Sequence, residues 1–115
     1  IAQCTRELMA RDDRPTAVFF SNDQVAADAY QTLGAMGLRI PEDVSVVGFD
    51  DSPICRWLTP RLASVRQPSQ AIGEAAMELL LKRIAAPDAL PSAAQHVLLQ
   101  TELVVRKSCG PNMAG

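Results

Sequence analysis

Aromatic side chains are scarce, with three Phe, one Trp and one Tyr among 115 residues. The core must therefore be assembled from Ala, Val, Leu, Ile and Met, which suits helices laid on a sheet better than two sheets packed face to face. Histidine occurs once, as His96. It stands in a loop before the last apolar segment, far along the chain from the paired acids, and reads as a solvated residue rather than a general base. Cys4, Cys55 and Cys109 are odd in number, widely spaced and without a C-x-x-C. Such spacing suggests neither a disulfide framework nor a zinc site, and it favours a reducing, cytoplasmic compartment. No apolar run approaches the roughly 18 residues of a membrane span, and no basic n-region with a cleavage site is present. The net charge is −2 with acids and bases interspersed, which leaves no electrostatic footprint for nucleic acid or an anionic membrane. A nucleophile elbow, a Walker loop and a dinucleotide fingerprint are all missing, so neither catalysis nor a cofactor is expected.

With 48% hydrophobic residues, the chain can bury the core of one domain. It is organised around V-S-V-V-G-F-D-D (44–51). The run is too short for a helix and too apolar for a surface strand, so it reads as a parallel-sheet strand buried on both faces. A second such run, A-V-F-F (17–20), ends in Ser21, Asn22 and Asp23. Between the two, Ser21 or Asn22 can cap a helix whose apolar face is Val25, Ala29, Leu33 and Met36, with Gly37 as its left-handed terminator. The short link 38–43 then returns to the next strand, as in a βαβ unit. That topology gathers Ser21, Asn22, Asp50 and Asp51 at the carboxyl edge of one sheet, where open α/β sheets bind their ligands.

The flanking stretches are simpler. Ile1, Cys4, Leu8 and Met9 recur at helical spacing, so the chain opens inside an amphipathic helix, as a piece of something longer would. Residues 52–59 read as a loop with one helical turn carrying Trp57, and 62–65 as a third strand. Residues 69–85 give the clearest helical pattern, with an Ile72, Ala76, Leu79, Leu80 and Ile84 stripe and Glu78 placed to pair with Lys82. A Pro/Ala/Ser-rich loop follows at 86–95, then a last strand over 97–105.

Paired acids after a strand have several uses. They hold magnesium in phosphoryl-transfer sites, accept hydrogen bonds from ligand hydroxyls, or simply make a solvated turn. Two polar strand ends side by side favour a ligand with several hydroxyls, because carboxylate and carboxamide accept and donate in a fixed pattern.

The segments A-V-F-F-S-N-D-Q (17–24), G-L-R-I-P-E-D-V-S-V-V-G-F-D-D (37–51), L-T-P (58–60), V-R-Q-P (65–68) and T-E-L-V-V-R-K-S (101–108) resemble, in order and spacing, the C-terminal part of a lactose-repressor (LacI/GalR) family transcriptional regulator. The resemblance implies an α/β fold: a fragment of a type I periplasmic-binding-protein-like fold, with a parallel sheet flanked by helices. Residues 1–66 would form the C-terminal subdomain half of the effector-binding core. Residues 67–107 would supply a crossover, a helix and the final strand, and 108–115 a disordered tail. By motif, Asn22, Asp50 and Gln67 would contact a small sugar or nucleoside-like effector, while Asp51 would be structural. Family members that cover the ligand ring with an aromatic two residues after the glutamine differ from this chain, which has Ser69 there. The same resemblance sends Val25, Ala26, Trp57 and Leu58 to a homodimer interface and leaves DNA binding to a separate N-terminal helix-turn-helix. The stripe on 69–85 is expected to bury against a second copy. Two alternatives share some of these features: a periplasmic sugar-binding protein of a transporter, and a magnesium-dependent phosphoryl-transfer enzyme using Asp50 and Asp51.

Overall fold

The apolar runs singled out above become the strands of one four-stranded sheet in the computed structural model, which describes residues 1–86 and 95–110. The elements are α1 (Ala2–Met9), β1 (Ala17–Phe19), α2 (Asp23–Ala35), β2 (Ser45–Phe49), a single 3-10 turn (Pro53–Arg56), β3 (Ala63–Arg66), α3 (Ser69–Ala85) and β4 (Glu102–Val104). Strand order follows chain order. β1, β2 and β3 are parallel, and β4 closes the sheet antiparallel to β3 of its own chain. The two parallel connections run through α2 and through the 3-10 turn, so all three parallel strands end at the same edge.

The chain divides into two bodies, one of Ile1–Arg66 with Glu102–Gly115 and the other of Gln67–Thr101. β4 therefore belongs with the first body rather than with the crossover and α3, as the expected boundary at residue 67 had it. In the first body, α1 and α2 lie against the sheet face that carries Val46, Gly48 and Ser64. Met9, Ala26, Leu33, Val44, Val46, Cys55 and Leu62 form its core. The buried side of α2 is centred on Ala26, Ala29 and Leu33, one position round from the expected stripe, because Val25 sits at its margin. Helix α2 ends as its sequence dictates. Gly37 takes φ +74°, and the Leu38 N–H reaches back to the Leu33 carbonyl at 3.0 Å, closing a Schellman-type terminus that a side chain at 37 would strain.

Several expectations need correction. β1 is an edge strand, not a buried one: Phe19 is 61% exposed, with an edge-to-face contact to Phe49, ring centroids 6.4 Å apart. Strand β4 covers only three residues of the expected 97–105, and its alternation there leaves Leu103 exposed. Residues 108–110, expected in a disordered tail, are anchored. Ser108 is fully buried, its hydroxyl donating to the Val46 carbonyl at 2.6 Å and accepting from the Ala63 N–H at 2.8 Å. The physical reason is that the unpaired backbone groups at the ends of β2 and β3 need partners, and a short hydroxyl fits between them. Residues 111–115, and most of the expected 86–95 loop, lie outside the described residues.

In the second body, α3 spans the predicted 69–85 and carries the Glu78–Lys82 ion pair at 2.7 Å. None of its residues is buried. Ile72, Ala76 and Leu79 line one side of an open groove with Val97 and Leu99 on the other.

Candidate functional site

The carboxyl edge of the parallel strands is built from two turns, and each turn is dictated by local chemistry. After β1 the chain must start a helix, whose first N–H groups lack intrahelical partners. Asn22 supplies one. With extended backbone, its Oδ1 accepts from the Val25 N–H at 2.9 Å. This fixes the orientation of the carboxamide, since only its oxygen can accept, and it leaves the NH2 as the group Asn22 chiefly offers a ligand. The sequence allowed either Ser21 or Asn22 as the cap. Asn22 takes the role.

After β2 the chain turns through two consecutive left-handed residues, Asp50 at φ +104° and Asp51 at φ +53°. Asp is one of the few non-glycine residues that tolerate this region. Asp50 is exposed, and its N–H is held by the Val65 carbonyl at 2.9 Å. The Asp51 carboxylate is only 4% exposed and bonds two guanidinium groups, Arg106 at 2.5 Å and Arg66 at 2.7 Å. Burial alone would push its carboxyl up, but Arg106 and Arg66 together outweigh that and hold it below the usual carboxylate range. Arg106 also donates to the Leu62 carbonyl at 2.8 Å, and Arg66 reaches Glu102 at 3.2 Å. Asp51 is thus the centre of a clamp joining β2, β3 and β4, in keeping with a structural role. With one guanidinium on each oxygen it is poorly suited to hold magnesium, and the described residues contain no group of three or more His, Cys, Asp or Glu side chains placed to hold a metal.

The two turns meet. Asp23, the residue after Asn22, is 1% exposed. Its carboxylate accepts from the Ser52 N–H at 2.7 Å and from the Ser64 hydroxyl at 2.6 Å. Ser64 in turn accepts from the Asp51 N–H at 3.0 Å. The β1–β2 register points the same way: Phe19 is level with Val47, so continuing it by three residues would set position 22 beside position 50. Asn22 stands one residue before Asp23, and Asp50 two residues before Ser52, at the two ends of this hydrogen-bonded junction. Gln67 follows β3 directly and belongs to the second body, where its carbonyl accepts from the Ser69 N–H at 2.9 Å.

Sequence reasoning missed Asp23, Ser64 and Ser108. In the sequence Asp23 looks like an ordinary acid in the first turn of a helix, and the one signal that could have found it is Gly48. A Cβ there would run into Asp23 Oδ1, so the glycine marks where the carboxylate passes under the strand. Nearby, Cys55 is fully buried, and burial together with the Asp23 carboxylate pushes its thiol up to about 11. It is an inert core residue, as expected for a cysteine without cationic support.

The four residues expected at a dimer interface differ in exposure. Trp57 is 80% exposed and Leu58 partly so, on a surface shared with Arg56, Arg61 and Lys107. Val25 is partly exposed. Ala26 is wholly buried in the core and has no surface to offer a second copy. Its place at the centre of the helix's inner face, one residue from Val25, is the cause.

Comparison with known proteins gives a consistent picture. A family model described as a periplasmic binding protein-like domain matches residues 2–109. The chain is 41% identical over 106 residues to the probable HTH-type transcriptional repressor ExuR of Bacillus subtilis, covering 92% of this chain and 31% of that protein. It is 39% identical over 106 residues to the lactose operon repressor of Rhizobium radiobacter, covering 92% of this chain and 90% of that sequence. Among solved structures, a LacI family transcriptional regulator from Enterococcus faecium with bound ribose is 34% identical and superposes with a TM-score of 0.76, over 96% of this chain and 39% of that one. Against ExuR and that structure, the chain spans between about a third and two fifths of the longer protein.

Proposed function

The chain belongs to the lactose-repressor (LacI/GalR) family, within its periplasmic-binding-protein-like domain, and from that premise we propose that it is the effector-sensing region of a cytoplasmic, homodimeric transcriptional repressor. Its ligand is a small sugar or a nucleoside-like molecule. Asp50 accepts hydrogen bonds from ligand hydroxyls, and Asn22 donates from its NH2. Gln67 is assigned to the ligand by its R-Q-P motif. Operator binding resides in a separate N-terminal helix-turn-helix, and effector occupancy alters the affinity of the dimer for DNA. Val25, Trp57 and Leu58 contribute to the dimer contact. This is a binding module, not an enzyme.

What supports the reading is an amide that caps α2 after β1 and a carboxylate that follows the adjacent parallel strand β2. Such a donor and acceptor set matches vicinal hydroxyls. The bound ribose of the Enterococcus faecium relative and the lactose operon controlled by the Rhizobium radiobacter repressor support the sugar class. Neither alternative has comparable support, because the Asp51 carboxylate is committed to arginines and the relatives are repressors. The test is calorimetric titration of the full-length regulator with D-ribose, lactose and adenosine. At least one should bind with saturable heat, and an absence of binding to all three would overturn the assignment of ligand class.

A further inference from the structure

We propose that Asp23 and Ser64 are the positioning residues of this site, a buried carboxylate and hydroxyl that hold the 50–52 turn in its left-handed form and so present Asp50 to the ligand. The inference deepens the ligand-binding reading and rests on it.

Two consecutive non-glycine residues at φ +104° and +53° do not adopt that backbone without support, since the left-handed region crowds Cβ against the carbonyl. Support comes from three successive N–H groups. Asp50 N–H goes to the Val65 carbonyl, Asp51 N–H to the Ser64 hydroxyl and Ser52 N–H to the Asp23 carboxylate, at 2.9, 3.0 and 2.7 Å. The first partner is backbone of β3. The other two depend on side chains, and both side chains are essentially without solvent contact.

The order of the bonds follows from the chemistry of the groups. Ser64 has one hydroxyl proton, and it donates that proton to Asp23 Oδ1 at 2.6 Å. Its lone pairs are thereby turned towards the Asp51 N–H. Both Asp23 oxygens accept, Oδ1 from the hydroxyl and Oδ2 from the Ser52 N–H. The glycine at 48 leaves the room this carboxylate occupies, because a Cβ there would collide with Oδ1 and stand 3.2 Å from the Asp23 Cα. Asp23 also lies in the first turn of α2, next to Asn22. One carboxylate therefore fixes the relation between the residue that donates to the ligand and the residue that accepts from it.

The experiment compares wild-type regulator with Asp23→Asn and Ser64→Ala. In Asp23→Asn the shape is kept, but the new NH2 must face either the Ser52 N–H, a donor–donor contact, or Ser64 Oγ, which then accepts from it and can no longer send its proton to residue 23. Ser64→Ala removes the acceptor of Asp51 N–H. Hydrogen exchange read by mass spectrometry should rise on the order of tenfold in peptides covering 50–52 and stay unchanged in peptides from 29–35, a local loosening rather than a global one. Affinity for D-ribose, lactose or adenosine, whichever binds wild type, should fall on the order of tenfold or more. The double variant should be no weaker than the weaker single, because both side chains act through one turn.

Unchanged exchange at 50–52 in both variants would overturn the proposal. So would a uniform rise across the chain, or a loosened turn with wild-type affinity. Should Asp23→Asn fail to fold, Ser64→Ala decides alone. If none of D-ribose, lactose and adenosine binds the wild-type protein the ligand class is wrong, while the exchange result still shows whether these two side chains hold the turn.

Discussion

The carboxylate of Asp23 accepts the backbone N–H of Ser52 at 2.7 Å, and with that contact the turn after the first strand is bonded to the turn after the second. Asn22 stands one residue before it and Asp50 two residues before its partner. A part-buried hydrogen bond thus ties together the two turns that carry the candidate ligand contacts.

Gly48→Ala tests that junction for space. The new methyl would meet Asp23 Oδ1 and lie 3.1 Å from Leu62 Cδ2, both fixed by burial. Overpacking of this kind costs about 1–3 kcal/mol. Urea unfolding should show a lowered midpoint with little change in slope, whereas wild-type stability would mean that the carboxylate has room to move.

Asn22 is assigned two jobs by its two ends, and a substitution separates them. Asn22→Ser keeps an oxygen that can cap α2 but removes the NH2, so stability should change by only a few tenths of a kcal/mol (~0.3) while affinity for the sugar falls. Asn22→Ala should lose affinity and about 1 kcal/mol of stability together. Calorimetry and thermal unfolding of the two variants, side by side, check the division. Equal affinity of wild type and Asn22→Ser would remove the NH2 from the site.

The adjacency of the first two strands, helices α2 and α3, and the edge where those strands end were legible from short apolar runs, a cap and a terminal glycine, whereas the antiparallel β4 was not. What stayed hidden has a common cause: it depends on partners distant in sequence. Asp51 bonds Arg66 and Arg106, 15 and 55 residues away, and Ser108 fills a gap between two strand ends 62 and 45 residues earlier. Neither contact leaves a local signature. Strand β1 misled for a different reason, since an apolar run looks the same whether both of its faces are covered or one lies open. Asp23 was hidden by its company, because an acid in a first helical turn already has a sufficient local explanation in the helix dipole.

Asp51 predicts the direction of acid sensitivity. Its folded carboxyl titrates below the ordinary value because Arg106 and Arg66 outweigh its burial. A depressed folded value means a contribution that is present above the unfolded value, about 3.9, and is lost as pH falls through the folded one. Asp51→Asn should therefore be less stable than wild type at pH 7, with the difference shrinking as pH is lowered towards 2. Denaturant unfolding across that range reads it, and a difference that stays constant with pH would show that the clamp holds through shape alone.

Tyr30 is the only tyrosine of these 115 residues, and its ionisation can be followed in the full-length regulator as the absorbance difference from Tyr30→Phe. Its hydroxyl donates to the Pro60 carbonyl at 3.1 Å, and burial is the main cause pushing its ionisation up to about 12. The tyrosinate band of this region should be missing at pH 10.5 in the folded protein and emerge near pH 10 in urea. A native midpoint near 10 would mean that the α2 face of the Trp57 loop is open to water.

The central claim, that this edge of the sheet grips a small polyhydroxylated ligand through Asp50, is tested most directly by titrating Asp50→Ala with whichever of D-ribose or lactose binds the wild-type regulator. Asp50 is exposed, but alanine tolerates φ +104° less well than aspartate, so the unfolding temperature should fall modestly and binding is read well below it. Loss of a charged acceptor should lower affinity on the order of a hundredfold, the equivalent of about 2.7 kcal/mol. Binding of the sugar to Asp50→Ala with wild-type affinity would contradict the account.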